Sequence, residues 1–315
     1  MFTFDSGKDG VRIHVHMWQP VGPPRGVVQI AHGMGEHAGR YAPLAQALTA
    51  RGFAVYANDH RGHGLSRHAA PGHLGEDGWN RLVGDLVTLS ETIRERHPGL
   101  PLTLLGHSLG SFAAQQYVLH HSHLIDALVL AGTTAVDVMM ANQAADTGDP
   151  LVALNKGFEP ARTLFDWLSR DPEAVDAYLA DPLCGSSLDA EGMRQVGVAS
   201  AALAQPRGIP AHLPVCVLVG DRDPLNAGLA LSDLLVDRYR QAGLKDITYR
   251  IYPEARHELF NETNRAEVEG DLLAWLQRVL ASELEQTSQE PRALVPPGRV
   301  RDAFGTQGQE QTGKS

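Results

Sequence analysis

The chain has little of several features that would place it in a specialised class of protein. Its 315 residues include only two cysteines, Cys184 and Cys216, too few for a disulfide framework or a cysteine metal site. Both have apolar neighbours, so we expect buried free thiols. The formal charge of −10 is spread along the chain without a basic patch, which argues against nucleic acid as a partner.

Segments that direct a chain to a membrane are also missing from the sequence. The first residues, from Met1 to Lys8, lack the positively charged start and the apolar stretch of a signal peptide. No window reaches the roughly 18 apolar residues that a spanning helix needs. These absences predict a cytoplasmic protein.

Buried strand-like runs alternate with helical patterns over the first 135 residues. An alternating strand, Val11–Trp18, precedes apolar runs that each end in a loop and a helical pattern. The runs are Gly26–Ala31, Phe53–Ala57, Leu102–Leu105 and Ala127–Ala131. This order predicts an α/β fold, a mostly parallel sheet with helices on both faces, whose ligands bind at the carboxyl ends of the strands.

The third of these runs ends in the pattern G-x-S-x-G, as Gly106-His-Ser108-Leu-Gly110. Good helix formers follow it, so the context is strand, sharp turn and helix, which is typical of a nucleophile elbow. The two glycines allow the tight turn, and Ser108 is predicted to project over the end of the sheet. The N–H of Leu109, at the start of the helix, is predicted to stabilise negative charge.

A glycine-rich loop, His32-Gly-Met-Gly-Glu-His37, follows the first buried run. Its position favours a second oxyanion donor, the N–H of Met34, over a plain turn leading into Tyr41–Ala50. His32, Glu36 and His37 lack the helical spacing of H-E-x-x-H, so we predict no metal there.

The next loop, Asn58–Ser66, resembles a nucleotide loop but lacks the lysine-containing phosphate-binding pattern. We therefore expect it to be scaffold, with Arg61 paired to a carboxylate and with Asp59 and Ser66 bonded to backbone.

The alternation of strands and helices stops between residues 136 and 213. The stretch contains no buried strand pattern and predicts short helices, including Pro160–Ser169 and Pro172–Ala180, which indicates an inserted helical cap. Its large apolar side chains are expected mostly to pack the cap onto the core, while a minority line an acyl-sized pocket. They are Met139, Met140, Leu151, Leu154, Phe158, Leu164, Phe165, Trp167 and Leu168.

Two further strands bring an aspartate and a histidine to the same sheet edge. Val215–Val219 precedes the loop Gly220-Asp-Arg-Asp223, and Tyr249–Tyr252 precedes a loop ending in His257. A serine nucleophile needs a base to take its proton and a carboxylate to orient the base. Asp223 is preferred for that role over Asp221, which reads as a turn or helix-capping residue, and His257 is preferred as base over a plain loop histidine.

The predicted domain plan is a core of residues 1–135 and 214–282, a cap of residues 136–213, and a tail of residues 283–315. The tail is rich in Gln, Glu, Pro, Gly and Ser, so it is expected to be disordered.

From about Val11 to Leu280 the chain resembles the α/β-hydrolase superfamily, in particular monoacylglycerol lipases and bacterial lysophospholipases of the serine aminopeptidase S33 type. The matching motifs are the glycine-rich loop with Arg40-Tyr41, the Asp59–Ser66 loop, the Ser108 elbow, the Asp223 loop and His257. The H-G-G-P-G loop of proline iminopeptidases is absent. Haloalkane dehalogenases and epoxide hydrolases have an aspartate where this chain has Ser108.

The resemblance implies Ser108 as nucleophile, His257 as base, Asp223 as its acid, and the N–H groups of Met34 and Leu109 as the oxyanion hole. It implies two-step cleavage of carboxylic esters such as monoacylglycerols or lysophospholipids, without a cofactor. It also implies contact with a membrane surface through the cap, which selects acyl chains in that branch. The alternatives are a short-chain carboxylesterase, an amidase, and a non-catalytic ligand-binding member of the fold.

Overall fold

Eight strands form one sheet in the computed structural model, which describes residues 1–7, 9–145 and 150–289. In space their order is β1, β2, β4, β3, β5, β6, β7 and β8. The strands are β1 (Phe2–Asp5), β2 (Arg12–Trp18), β3 (Gly26–Ala31), β4 (Phe53–Asn58), β5 (Leu102–His107), β6 (Ala127–Ala131), β7 (Val215–Gly220) and β8 (Ile247–Tyr252). β1 pairs antiparallel with β2 and β2 with β4, while the remaining pairs are parallel.

The helices lie on both faces of this sheet, which confirms the predicted fold class. They are α1 (Ala42–Thr49), α2 (Gly78–Arg96), α3 (Leu109–His121), α4 (Val136–Ala145), α5 (Pro150–Asn155), α6 (Pro172–Ala180), α7 (Ala190–Ser200), α8 (Ala230–Gln241) and α9 (Arg265–Gln289). Short 3₁₀ helices occupy Ala38–Tyr41, Gly64–Ser66, Ser122–Leu124, Asp166–Leu168, Ala201–Ala204, Pro224–Asn226 and Leu259–Asn261.

The sheet separates two hydrophobic cores, because successive strand side chains point to opposite faces. Leu104 of β5 packs in the cluster that includes residues of α2, α3 and α8, whereas Leu105 packs with residues of α1 and α9. Every residue of β3 to β7 is buried, as expected for parallel strands covered on both faces.

Residues 136–213, which we call the insertion, lie between β6 and β7. Their described part contains α4, α5, α6 and α7 but no strand. Among the apolar residues singled out from the sequence, Met139 and Leu168 are buried, whereas half of the Leu164 side chain is exposed.

The predicted helix Pro160–Ser169 is wrong, because only Asp166–Leu168 forms a 3₁₀ turn there. The Asp166 carboxylate accepts the N–H of Arg162 at 2.6 Å and the hydroxyl of Thr163 at 2.6 Å. Such local side-chain bonds compete with helical ones. The prediction of α6 at Pro172–Ala180 is confirmed.

The final helix runs further than the sequence pattern suggested. α9 continues through residues 283–289, which the domain plan assigned to a disordered tail. This segment contains helix-forming Glu, Leu and Gln residues and has no proline before Pro291, so nothing in it stops the helix. The rest of the predicted tail, residues 290–315, lies outside the described residues. Among the described residues, no helix has the length and apolar character needed to cross a bilayer.

Candidate active site

Ser108 lies at the tip of the turn between β5 and α3 and has a backbone φ of +50°. Residues with a side chain rarely adopt this conformation, and here the close packing of the turn imposes it. A Cβ atom on Gly106 would lie 2.5 Å from the Gly110 carbonyl oxygen, and one on Gly110 would overlap the Ala31 carbonyl. Both elbow glycines are therefore needed for the turn.

A continuous hydrogen-bonded chain joins Ser108, His257 and Asp223. His257 Nε2 lies 2.8 Å from Ser108 Oγ, and His257 Nδ1 lies 2.8 Å from Asp223 Oδ2. The three residues follow β5, β8 and β7, so the parallel sheet brings them to one edge. Asp223 and His257 are almost completely buried and Ser108 is 9% exposed. With its proton on Nδ1, the imidazole can donate to the carboxylate and accept a hydrogen bond from the Ser108 hydroxyl at Nε2.

Asp221 does not take part in this chain of bonds. Its N–H donates to the Tyr252 carbonyl at 3.2 Å, and its Oδ1 is buried without a hydrogen-bond partner among the described residues. Asp223 instead also caps the 3₁₀ helix Pro224–Asn226, because its Oδ1 accepts the N–H of Leu225 at 3.0 Å. One oxygen of the Asp223 carboxylate is thus held by the local backbone, and the other contacts the histidine.

Two opposing effects set the proton affinity of His257. Burial disfavours the imidazolium, whereas the charge and hydrogen bond of Asp223 stabilise it, and the second effect wins, so the pKa of His257 is raised above 6.5. The neighbouring His107 ring lies 4.9 Å away between centroids, and burial lowers its pKa to about 4. His107 is therefore neutral where His257 titrates and adds no charge to the site.

The two N–H groups predicted to form an oxyanion hole are unpaired. Neither the Met34 N–H nor the Leu109 N–H has a hydrogen-bond partner within the part of the chain that the structure describes. Leu109 opens α3, where N–H groups of the first turn have no intrahelical acceptor and favour negative charge. Met34 lies in the loop after β3, beside the elbow, since a Cβ on Gly33 would come within 3.1 Å of Ser108 Cβ.

The sequence of this chain matches a known protein family. A family model described as serine aminopeptidase, S33, matches residues 22–264. The chain belongs to this family. It is 37% identical to a monoacylglycerol lipase of Mycolicibacterium smegmatis over 284 residues, 86% of this chain and 95% of that protein. The human monoglyceride lipase is 30% identical over 265 residues, covering 81% and 82% of the two chains.

The fold is also shared with solved structures. A thermostable carboxyl esterase from Bacillus coagulans superposes with a TM-score of 0.77 at 26% identity, over 89% of this chain and 98% of that one. The resemblance to the monoacylglycerol lipase-like branch of the α/β hydrolases, expected from the sequence motifs, is confirmed.

In this S33 family chain, a buried ionic network supports the loop that carries Met34. Glu36 accepts the Gly33 N–H at 2.5 Å and the Tyr41 hydroxyl at 2.8 Å, and Arg40 bonds to Glu36 at 2.6 Å. Arg40 also makes two bonds of 2.7 Å to Glu258, the residue after His257. Burial alone would raise the pKa of Glu36, but the Arg40 charge and these bonds hold it below its usual value.

This network links the loop after β3 to the loop after β8, and it was not predicted from the sequence. The sequence pattern offered a signal, because Glu36 and Arg40 are spaced by four residues at the start of a helical segment. Glu258 could not be found in this way, since it lies 218 residues from Arg40 along the chain.

The insertion also contacts His257 in this family member. The Trp167 ring packs against the imidazole with 5.0 Å between centroids, and the Trp167 carbonyl accepts the His257 N–H at 3.5 Å. Next to it, Glu258 N–H donates to the Leu168 carbonyl at 2.7 Å. Trp167 was singled out from the sequence only as an apolar residue of the insertion, and its position beside the histidine is a tertiary feature.

The loop Asn58–Ser66 has the scaffold role expected for it. Arg61 has no exposed side-chain surface, and it pairs with Asp85 at 2.9 Å and Asp9 at 2.8 Å. Asp59 accepts the N–H groups of Ala38 and Leu65. His32 is bonded in the same region, where its Nε2 accepts the His60 N–H at 2.9 Å.

Proposed function

We propose that this S33 family chain is a carboxylic ester hydrolase that cleaves monoacylglycerols through an acyl-enzyme on Ser108. The observation that carries the proposal is the chain of two 2.8 Å contacts from Ser108 through His257 to Asp223. The two unpaired N–H groups beside it support the same chemistry, because acyl transfer develops negative charge on the former carbonyl oxygen.

The proposed reaction has two steps. His257 takes the Ser108 proton through Nε2 while Oγ attacks the ester carbonyl, and the N–H groups of Met34 and Leu109 bind the oxyanion. The resulting imidazolium is stabilised by Asp223 and then protonates the leaving alcohol. Water next attacks the acyl-enzyme by the same route, which releases the acid and restores Ser108. Each step uses this chain's own groups.

Monoacylglycerols are proposed as substrates because two relatives that cover most of the chain are named monoacylglycerol or monoglyceride lipases. The Mycolicibacterium smegmatis and human proteins align over more than four fifths of it. Lysophospholipids share the single acyl ester and are the second candidate. The likeness to a carboxyl esterase of similar fold keeps short-chain esters as the alternative.

We further propose that the insertion, residues 136–213, acts as a cap over the site carried by the core of residues 1–135 and 214–282. Two contacts support this role: Met34 Sδ accepts the Leu188 N–H at 3.5 Å, and Trp167 packs on His257. The insertion also exposes apolar side chains, which suits contact with a lipid surface. They are Val152, Leu164, Leu179 and Val198.

The test is hydrolysis of a p-nitrophenyl ester series and of monoacylglycerols by the unmodified protein and by Ser108→Ala. We expect the variant to lose activity on every substrate and to lose labelling by a fluorophosphonate probe. Ser200→Ala is a matched control, because that hydroxyl bonds to the Gly197 carbonyl at 2.8 Å within α7 and makes no hydrogen bond to Ser108, His257 or Asp223. Equal rates in Ser108→Ala and the unmodified protein would refute the proposed nucleophile.

The substrate class is tested by the same assay. A rate that rises with acyl length and is highest on monoacylglycerols supports the lipase assignment. A preference for short acyl chains would instead indicate a short-chain carboxylesterase. Higher activity on lysophospholipids would indicate a lysophospholipase, and faster cleavage of anilides than of esters would indicate an amidase.

A further inference from the structure

Three side chains with metal-binding atoms meet where the loop after β3 touches the insertion. They are His37, Asp181 and Cys184, and one ligand atom from each lies within 4.8 Å of the others. Asp181 Oδ2 accepts from His37 Nε2 at 2.9 Å. All three residues are partly buried, and 13% of the His37 side chain and 30% of the Asp181 side chain are exposed, so an ion can enter from solvent.

The backbone around the cluster is held by bonds that do not involve these ligand atoms. The Gly185 N–H donates to the Gly35 carbonyl at 2.8 Å and so joins the insertion to the loop. The Cys184 N–H donates to the Asp181 carbonyl at 3.0 Å, and the Leu183 N–H occupies Asp181 Oδ1 at 2.8 Å. Only Oδ2 of that carboxylate is therefore directed at His37. The three residues are brought together by the fold itself.

The donor set has a clear chemical preference. One imidazole nitrogen, one carboxylate oxygen and one thiolate sulfur are ligands of zinc and of similar transition-metal ions, whereas Mg²⁺ and Ca²⁺ bind mostly oxygen. With sulfur as thiolate, the two negative ligands balance a divalent ion. The adjacent Arg40 does not oppose it, because that guanidinium is already paired with Glu36 and Glu258.

We propose that His37, Asp181 and Cys184 form a binding site for a divalent transition-metal ion of the zinc class, which ties the loop carrying Met34 to the insertion. Three protein ligands leave a fourth tetrahedral position for water. This site is separate from the Ser108 site, where the proposed ester cleavage uses Ser108, His257 and Asp223.

Binding exchanges bonds in a defined way. The Cys184 thiol releases one proton, and His37 must bind through Nε2 with its proton on Nδ1. The Gly39 N–H, which now donates to Nδ1 at 3.2 Å, turns to solvent, and it can do so because Gly39 is only partly buried. The metal replaces the contact between His37 and Asp181 with bonds from both residues to one ion.

Cobalt(II) is a direct probe of this site, because a cobalt–thiolate bond gives a charge-transfer band in the near ultraviolet that oxygen and nitrogen ligands do not. We expect the band in the unmodified protein and its displacement by Zn²⁺. Cys184→Ser should abolish it. Cys216→Ser is the matched control, because Cys216 is buried in the core on β7 and should leave the band intact.

Zinc affinity, measured by competition with a chromophoric chelator, tests the other ligands. Asp181→Asn and Cys184→Ser are each expected to weaken it by more than about 100-fold, because outer-shell partners alone are worth roughly 10–100-fold. In thermal unfolding, Zn²⁺ should raise the Tm of the unmodified protein and of Cys216→Ser. It should not raise the Tm of Asp181→Asn or Cys184→Ser. No band in the unmodified protein, or a band lost in Cys216→Ser instead of Cys184→Ser, would overturn the site.

The tie to the loop is tested by hydrolysis rates with and without Zn²⁺. Holding His37 to the insertion restricts the loop that supplies the Met34 N–H, so saturating Zn²⁺ should slow ester cleavage in the unmodified protein and in Cys216→Ser. Cys184→Ser should be unaffected at the same concentration. Equal slowing in Cys184→Ser would show that the ion acts elsewhere, and binding without slowing would overturn the proposed tie.

Discussion

Replacing Asp223 with Asn tests the orientation of His257 with almost no change in volume. Asp223 Oδ1 accepts the Leu225 N–H at 3.0 Å, and an asparagine must keep its oxygen there to satisfy that donor. Its NH₂ group then occupies the place of Oδ2, facing His257 Nδ1 at 2.8 Å. Two donors cannot bond, so the imidazole is forced into the tautomer that carries its proton on Nε2, and this tautomer cannot accept the Ser108 proton.

The expected loss follows from this tautomer. Loss of the carboxylate in a comparable triad lowers kcat by about 10⁴-fold, which is about 5.4 kcal/mol at roughly 1.36 kcal/mol per factor of ten. KM should change little, because Asp223 is buried behind His257 and lies away from the ester. The assay is steady-state hydrolysis of a p-nitrophenyl ester, with circular dichroism to show that the variant folds.

Asp221→Asn is the matched control, since it changes a carboxylate in the same loop that does not bond to His257. It should retain activity within a few-fold of the unmodified protein. A kcat for Asp223→Asn within about tenfold of the unmodified value would refute the reasoning, and so would an equal loss in Asp221→Asn.

Three further outcomes follow from the same structure. In a pH series, the rise of kcat/KM should have its midpoint above pH 6.5, since Asp223 raises the pKa of His257 and only the neutral imidazole accepts a proton. A midpoint well below pH 6.5 would contradict this. Gly110→Ala should lower the free energy of unfolding, measured in urea, by about 3 kcal/mol, because its new Cβ would overlap the Ala31 carbonyl. Gly84→Ala, on an open face of α2, should raise that free energy by about 0.5–1 kcal/mol. Similar values for the two variants would contradict the packing argument. Arg61→Met should lower the free energy of unfolding by roughly 3–5 kcal/mol in the same urea experiment, because it leaves the buried Asp85 unpaired. No change in that free energy would show that water reaches the Asp85 carboxylate.

Much of the fold follows from short-range patterns in the sequence. Parallel strands buried on both faces are continuous apolar runs, and β3 to β7 were recognised from that property alone. The elbow was equally local, because a strand, two glycines and a helix specify the turn around Ser108 within a few residues. α6 was predicted from its Asp-Pro start, where Asp171 accepts the Glu173 N–H. In each case neighbouring residues carry the whole signal.

Local patterns failed where side chains formed bonds that periodicity does not describe. The segment Pro160–Ser169 was predicted to be a helix, but Asp166 bonds to the backbone and hydroxyl groups around it. At the other end of the chain, the change in composition after residue 282 suggested a boundary, whereas helix propensity carries α9 on to Gln289. A change in composition is therefore a poor marker of where a helix ends.

Short-range sequence patterns predicted the buried strands and the sheet edge at which Ser108, Asp223 and His257 meet, because each such strand and the loop after it are specified by neighbouring residues. The tertiary structure adds the contact itself: Oδ2 of Asp223, which the sequence favoured over Asp221, lies 2.8 Å from His257 Nδ1, whereas no hydrogen bond joins Asp221 to His257 among the described residues. Only the fold joined Arg40 to Glu258 and His37 to Asp181, across 218 and 144 residues. Contacts between distant segments depend on how whole elements pack, and no local pattern encodes that packing.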